Sequence, residues 1–104
     1  EAPAEFNIWL PDDRALCLSE NANATLHNIL TPRGALVRDA KVWADGLAES
    51  ERLFAREADV LFTSHAWPRW GRAEIGEYLR KHGDAYRYIH DQSVRLMNLG
   101  YTGA

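Results

Sequence analysis

Apolar and polar residues alternate at first over Phe6-Asn7-Ile8-Trp9-Leu10, and the run closes on Pro11. That pattern predicts a strand. Pro11-Asp12-Asp13-Arg14 has turn chemistry, and Ala15-Leu16-Cys17-Leu18 reads as a second strand, so residues 6–18 suggest a hairpin. A polar loop follows over 19–25. Residues 26–30 form a short apolar stretch of undecided type, and Thr31-Pro32-Arg33-Gly34 is a turn. From 35 to about 56 the pattern is helical. Leu36, Ala40, Trp43, Leu47 and Phe54 recur in steps of three and four, with Ser50 as the weak position. Gly46 inside that helix suggests close approach of another element, because glycine costs about 1 kcal/mol against alanine there. Val60-Leu61-Phe62 is a short buried strand. A second helix is predicted over 72–81, a stop at His82-Gly83-Asp84, and a third helix over 85–98 closed by Gly100. Three strands leave apolar sheet surface uncovered, and the helices after 72 have no strand to return to.

The stretch Ser64-His65-Ala66-Trp67-Pro68-Arg69-Trp70-Gly71 stands out. It delivers His65 at the carboxyl end of a strand, where α/β layers usually hold ligands. Pro68 stiffens the chain and Gly71 permits a sharp turn. A lone histidine is by default a hydrogen-bonded structural group. A strand, an aromatic corner and a helix around it hold an imidazole in one orientation, as metal ligation needs. Asn23-Ala24-Thr25 matches a glycosylation sequon, a short pattern that also arises by chance.

With 104 residues, 46% hydrophobic and 26% charged, the chain is an ordinary globular domain with one modest core. A net charge of −3 without a basic stripe gives no reason to expect nucleic acid. No apolar run approaches the roughly 20 residues of a membrane span. The single cysteine, Cys17, excludes an intrachain disulfide and reads as a buried structural thiol. The chain starts without Met or signal peptide and stops directly after a helical pattern, so both ends read as cuts through something longer.

The segment from Ser64 to Gly71 resembles the S-H-x-W-P-x-W-G motif of the alkylsulfatases in the metallo-β-lactamase superfamily. Glu1-Ala2-Pro3-Ala4-Glu5, Glu20-Asn21-Ala22, Thr25-Leu26-His27-Asn28 and Arg33-Gly34-Ala35 resemble further family segments in the same order. Tyr88-Ile89-His90-Asp91-Gln92 is similar to the start of the family's helical dimerisation domain. The resemblance implies an α/β fold, here an α+β piece of a metallo-β-lactamase-like αββα sandwich. Residues 1–71 would close the catalytic domain and residues 72–104 would open the dimerisation domain. It also implies hydrolysis of long-chain alkyl sulfates such as dodecyl sulfate, two zinc ions and a homodimer. Glu1, Glu20 and His65 take the positions of zinc ligands, and Asn28 and Arg33 those facing the sulfate.

Carboxylate and imidazole suit zinc, and a guanidinium fork suits sulfate oxygens. The family's His-x-His-x-Asp-His motif is absent, since none of His27, His65, His82 and His90 has that spacing. An internal fragment, inactive alone, is therefore expected. His27 and His90 read as structural. The compartment stays open, with the bacterial periplasm or medium compatible for the parent. The competing expectation is a non-catalytic helical oligomerisation module.

Overall fold

The computed structural model describes residues 5–102. Its elements run β1 (Ile8–Leu10), β2 (Ala15–Cys17), α1 (Ala40–Phe54), β3 (Val60–Phe62), β4 (Arg69–Trp70) and α2 (Arg72–Asn98). The sheet order is β1-β2-β3-β4, with β1–β2 and β3–β4 antiparallel and β2–β3 parallel. The α+β architecture expected from the sequence is thus observed. The hairpin over 6–18 is present, with Trp9 opposite Leu16. Parallel β2 and β3 need a crossover, and α1 supplies it.

Side-chain alternation gives each strand one residue for the helices. Leu16 and Leu61 are register partners and both are buried. They join Leu18, Leu47, Ile75, Leu79 and Tyr86 in the core, with Trp9 and Phe54 stacked at its edge, centroids 5.5 Å apart. Ile8, Leu10, Cys17, Val60 and Phe62 fall on the other sheet face, where Ile8 and Leu10 are exposed and Cys17 is half-buried. Cys17 is therefore less enclosed than its apolar neighbours suggested. Strands apolar on both faces are those of a sheet covered on both sides.

Four expectations are corrected. The first helix starts at Ala40, not at 35. Asp39 caps it, its Oδ1 accepting from the N–H of Lys41 at 2.9 Å and of Val42 at 3.1 Å. Just before it, the Arg38 N–H donates to the Ile29 carbonyl at 3.1 Å, so the chain there pairs with the preceding loop. Leu36 and Val37 stay exposed.

The second correction concerns residues 72–98, which form one helix of 27 residues rather than two. Gly83 is no stop. A Cβ placed on it would lie 3.5 Å from the Ala44 carbonyl oxygen and 3.8 Å from Leu47 Cβ, so α2 passes close to α1 there. Packing along the shared face overrides glycine's weak helix propensity. The first half of this helix also has a partner within the chain, since Ile75, Leu79, His82 and Tyr86 are buried.

Third, Gly46 has nothing within 4 Å of an added Cβ, so no close approach explains it. Fourth, Arg69-Trp70 is a strand, too short and too close to Pro68 for its pattern to show. It pairs Leu61 with Arg69 and Val60 with Trp70. Gly71 then turns the chain at φ +92° into α2, as its place in the sequence suggested.

Candidate metal and anion site

The parallel pairing of β2 with β3 sets the site. Cys17 is opposite Phe62, and the ladder continues past the strands. The Leu18 N–H donates to the Phe62 carbonyl at 3.1 Å, and the Ser64 N–H to the Ser19 carbonyl at 2.8 Å. The same register places Glu20 beside His65, 45 residues apart in sequence. Their side chains converge at the carboxyl ends of two adjacent parallel strands, with His65 Nε2 2.6 Å from Glu20 Oε1. The hydrogen bond from the His65 ring, opposed by desolvation, holds the Glu20 carboxyl below its ordinary value.

The turn that presents Glu20 is locally constrained. Ser19 sits at φ 49°, in the left-handed region that β-carbons disfavour. Its hydroxyl donates to the Phe6 carbonyl at 2.8 Å, and the Glu20 N–H donates to Glu5 Oε1 at 2.6 Å. His27 completes a bracket around the carboxylate, with Nε2 3.4 Å from Glu20 Oε2. Its Nδ1 lies 3.0 Å from the Asn28 carbonyl, and its ring packs near Trp43 at 5.7 Å. Sequence reasoning assigned His27 a structural role and missed this contact. The signal available was the place of His27 in sequence, seven residues after Glu20 and just past the polar loop.

Asn28 is the next residue along. Its amide nitrogen donates to the Leu30 carbonyl at 3.2 Å and to Thr31 Oγ1 at 2.9 Å. Arg38 braces the same turn through the Asn28 carbonyl at 2.9 Å and Thr31 Oγ1 at 2.8 Å. Arg33 stands exposed on the following turn, where the Gly34 N–H donates to the Thr31 carbonyl. Glu1 lies outside the described residues. Among the described residues, no group of three or more His, Cys, Asp or Glu is arranged to hold a metal ion. Trp67 and Trp70 do not brace His65 as an aromatic corner would, because they are 91% and 67% exposed. Asn23 is buried, which closes the sequon in the folded chain. His90 belongs to α2 and pairs with Asp91 at 2.9 Å. Among the described residues, no helix is long and apolar enough to cross a membrane.

No family model matches the chain. Individual proteins do. An (R)-specific secondary-alkylsulfatase from Pseudomonas is 42% identical over 102 residues, 98% of this chain and 15% of its own length. The alkyl/aryl-sulfatase BDS1 of Saccharomyces cerevisiae is 41% identical over 102 residues and is 16% covered. A linear primary-alkylsulfatase from another Pseudomonas strain is 45% identical over 103 residues and is 19% covered. In three dimensions, the stereoselective inverting sec-alkylsulfatase Pisa1 from Pseudomonas superposes with a TM-score of 0.89 at 42% identity, over 92% of this chain and 15% of that one. The chain thus spans about a sixth of the length of the curated relatives it matches. By sequence along nearly its whole length and by fold, this chain belongs to the alkylsulfatases, as a segment of that longer architecture.

Proposed function

We propose that the protein containing this chain hydrolyses long-chain alkyl sulfate esters such as dodecyl sulfate, and that Glu20 and His65, with Glu1, help to hold a pair of zinc ions. The observation that carries this reading is the meeting of Glu20 and His65 at the ends of β2 and β3, 2.6 Å apart across 45 residues of sequence. A carboxylate kept ionised beside an imidazole is a donor pair that fits zinc. The relatives supply the reaction class, being alkylsulfatases in the secondary, primary and alkyl/aryl groups. Bound zinc supplies Lewis acidity and makes water more acidic.

The chain's own residues do the rest. His27 and Glu5 hold the Glu20 side chain and backbone in place. Arg33 offers a planar fork to the sulfate oxygens, whose charge grows as the ester bond breaks. Asn28 exchanges one of its turn hydrogen bonds for a sulfate oxygen. In this scheme residues 1–71 belong to the catalytic domain and 72–104 open a helical dimerisation domain, although the first half of α2 packs into the same core as the sheet through Ile75, Leu79 and Tyr86. The apolar face of Ile8, Leu10, Val60 and Phe62 packs against the second layer of an αββα sandwich. The far end of α2 leaves Tyr88, Val94, Met97 and Leu99 exposed, which supports a homodimer. The chain alone lacks the remaining ligands and is inactive in this scheme.

The test is metal content beside dodecyl sulfate hydrolysis in the full-length protein. His65→Ala loses zinc and activity together. Arg33→Ala keeps zinc and loses turnover by about 10²–10³-fold. A His65→Ala protein with full zinc content and the wild-type rate would refute the assignment.

A further inference from the structure

The loop over 19–28 carries Glu20, His27 and Asn28, yet it has no secondary structure of its own. Its backbone is fastened by side chains from the two helices. Trp43 Nε1 of α1 donates to the Asn21 carbonyl at 2.8 Å. Three groups spaced four residues apart on α2 take the next positions. The Tyr78 hydroxyl donates to the Ala22 carbonyl at 2.6 Å. His82 Nε2 lies 2.6 Å from the Asn23 carbonyl. That carbonyl can only accept, so the neutral ring carries its proton on Nε2. The Tyr86 hydroxyl accepts from the His27 N–H at 2.9 Å. The four rings also brace one another. Trp43 stacks on Tyr86 at 4.5 Å, and Tyr78 packs against His82 at 4.5 Å. Tyr86 and His82 are buried, so these bonds form away from water, where a missing partner is costly.

We infer that Tyr78, His82 and Tyr86 are positioning residues: one face of α2 holds the 19–28 loop in the conformation that presents Glu20, His27 and Asn28. The inference rests on the functional reading for its consequence, because loop placement then sets zinc affinity and sulfate alignment. Neither tyrosine hydroxyl is needed to fill the core, so each can be removed with the ring left in place. His82→Gln keeps a donor able to reach the Asn23 carbonyl, whereas His82→Leu removes it.

The experiment is hydrogen exchange on the full-length protein, with zinc affinity measured by chelator competition in parallel. Tyr86→Phe exposes the His27 amide, and His82→Leu loosens residues 21–27. Each change is about tenfold in exchange rate, the size expected for one lost hydrogen bond. Exchange in α1 and β3 stays unchanged, zinc binding weakens about 10–100-fold as for other outer partners of metal ligands, and His82→Gln restores both readings. Unchanged loop exchange in Tyr78→Phe, Tyr86→Phe and His82→Leu overturns the inference. So does a rise spread evenly over the whole chain, which marks a role in folding alone. Failure of the functional reading shows separately, as a wild-type protein that binds no zinc. The exchange pattern then still decides whether the α2 face positions the loop.

Discussion

Three glycines lie inside helices, and the structure makes a quantitative claim about each. Gly46 has open space where a Cβ would go. Gly76 would place one 3.8 Å from Ala55 Cβ, and Gly83 would place one 3.5 Å from the Ala44 carbonyl and 3.8 Å from Leu47 Cβ. All three are at or beyond ordinary van der Waals contact, so alanine fits without moving either helix. Alanine also narrows the unfolded ensemble and favours the helix by about 0.5–1 kcal/mol per site. Sites without shared partners add. The triple variant Gly46→Ala/Gly76→Ala/Gly83→Ala is therefore expected to gain about 1.5–3 kcal/mol. For a domain of this size each kcal/mol raises Tm by about 4–8 °C. Urea unfolding of the three single variants and the triple variant, followed by circular dichroism, measures the gains. Gly83→Leu is the control, since a branched side chain cannot enter the Ala44–Leu47 contact. The reasoning fails if Gly83→Ala destabilises while Gly46→Ala stabilises, because the two helices would then be closer than 3.5 Å allows.

Leu79 of α2 is fully buried in the core, and Leu79→Ala should cost about 2–5 kcal/mol in the same assay. Asp39→Ala removes the cap from α1 and should cost about 1 kcal/mol, with helix content falling first at its amino end. Burial, with a smaller push from the Arg69 guanidinium, keeps His82 below its ordinary 6.5, against backbone hydrogen bonds with Asn23 and Tyr78 that favour the charged ring. The unfolded chain then takes up this proton at a higher pH than the folded chain. The contribution is full above about 6.5 and is lost as pH falls through the lower folded value. Stability measured from pH 7.5 to 5 should fall accordingly, and His82→Gln should flatten the slope. Tyr88, Met97 and Leu99 are 63–70% exposed near the end of α2. Sedimentation should show association that Met97→Asp with Leu99→Asp abolishes, and a wild-type monomer at high concentration refutes that reading.

Much of this was legible in the chain itself. The partly alternating run at 6–10, the apolar runs at 15–18 and 60–62 and the glycine-bounded turn at 71 marked strands and turns, because local patterning and backbone stereochemistry act over a few residues. The resemblance carried by Ser64-His65-Ala66-Trp67 and by Glu20-Asn21-Ala22 pointed to the family, and the relatives agree with it. Other features depended on contacts between distant segments. Asp39 starts α1 because its carboxylate satisfies two N–H groups while the preceding backbone pairs with Ile29. His82-Gly83-Asp84 reads as a stop by propensity, but the α1 surface makes a continuous helix the better arrangement. The meeting of Glu20 with His65 follows from the register of two parallel strands, and a one-residue slip would send the side chains to opposite faces. Likewise His27 could be tied to Tyr86, and His82 to Asn23, only by a helix and a loop brought together from 59 residues apart. The local chain chose the elements, whereas register and the fit of one helix against another decided which polar groups meet.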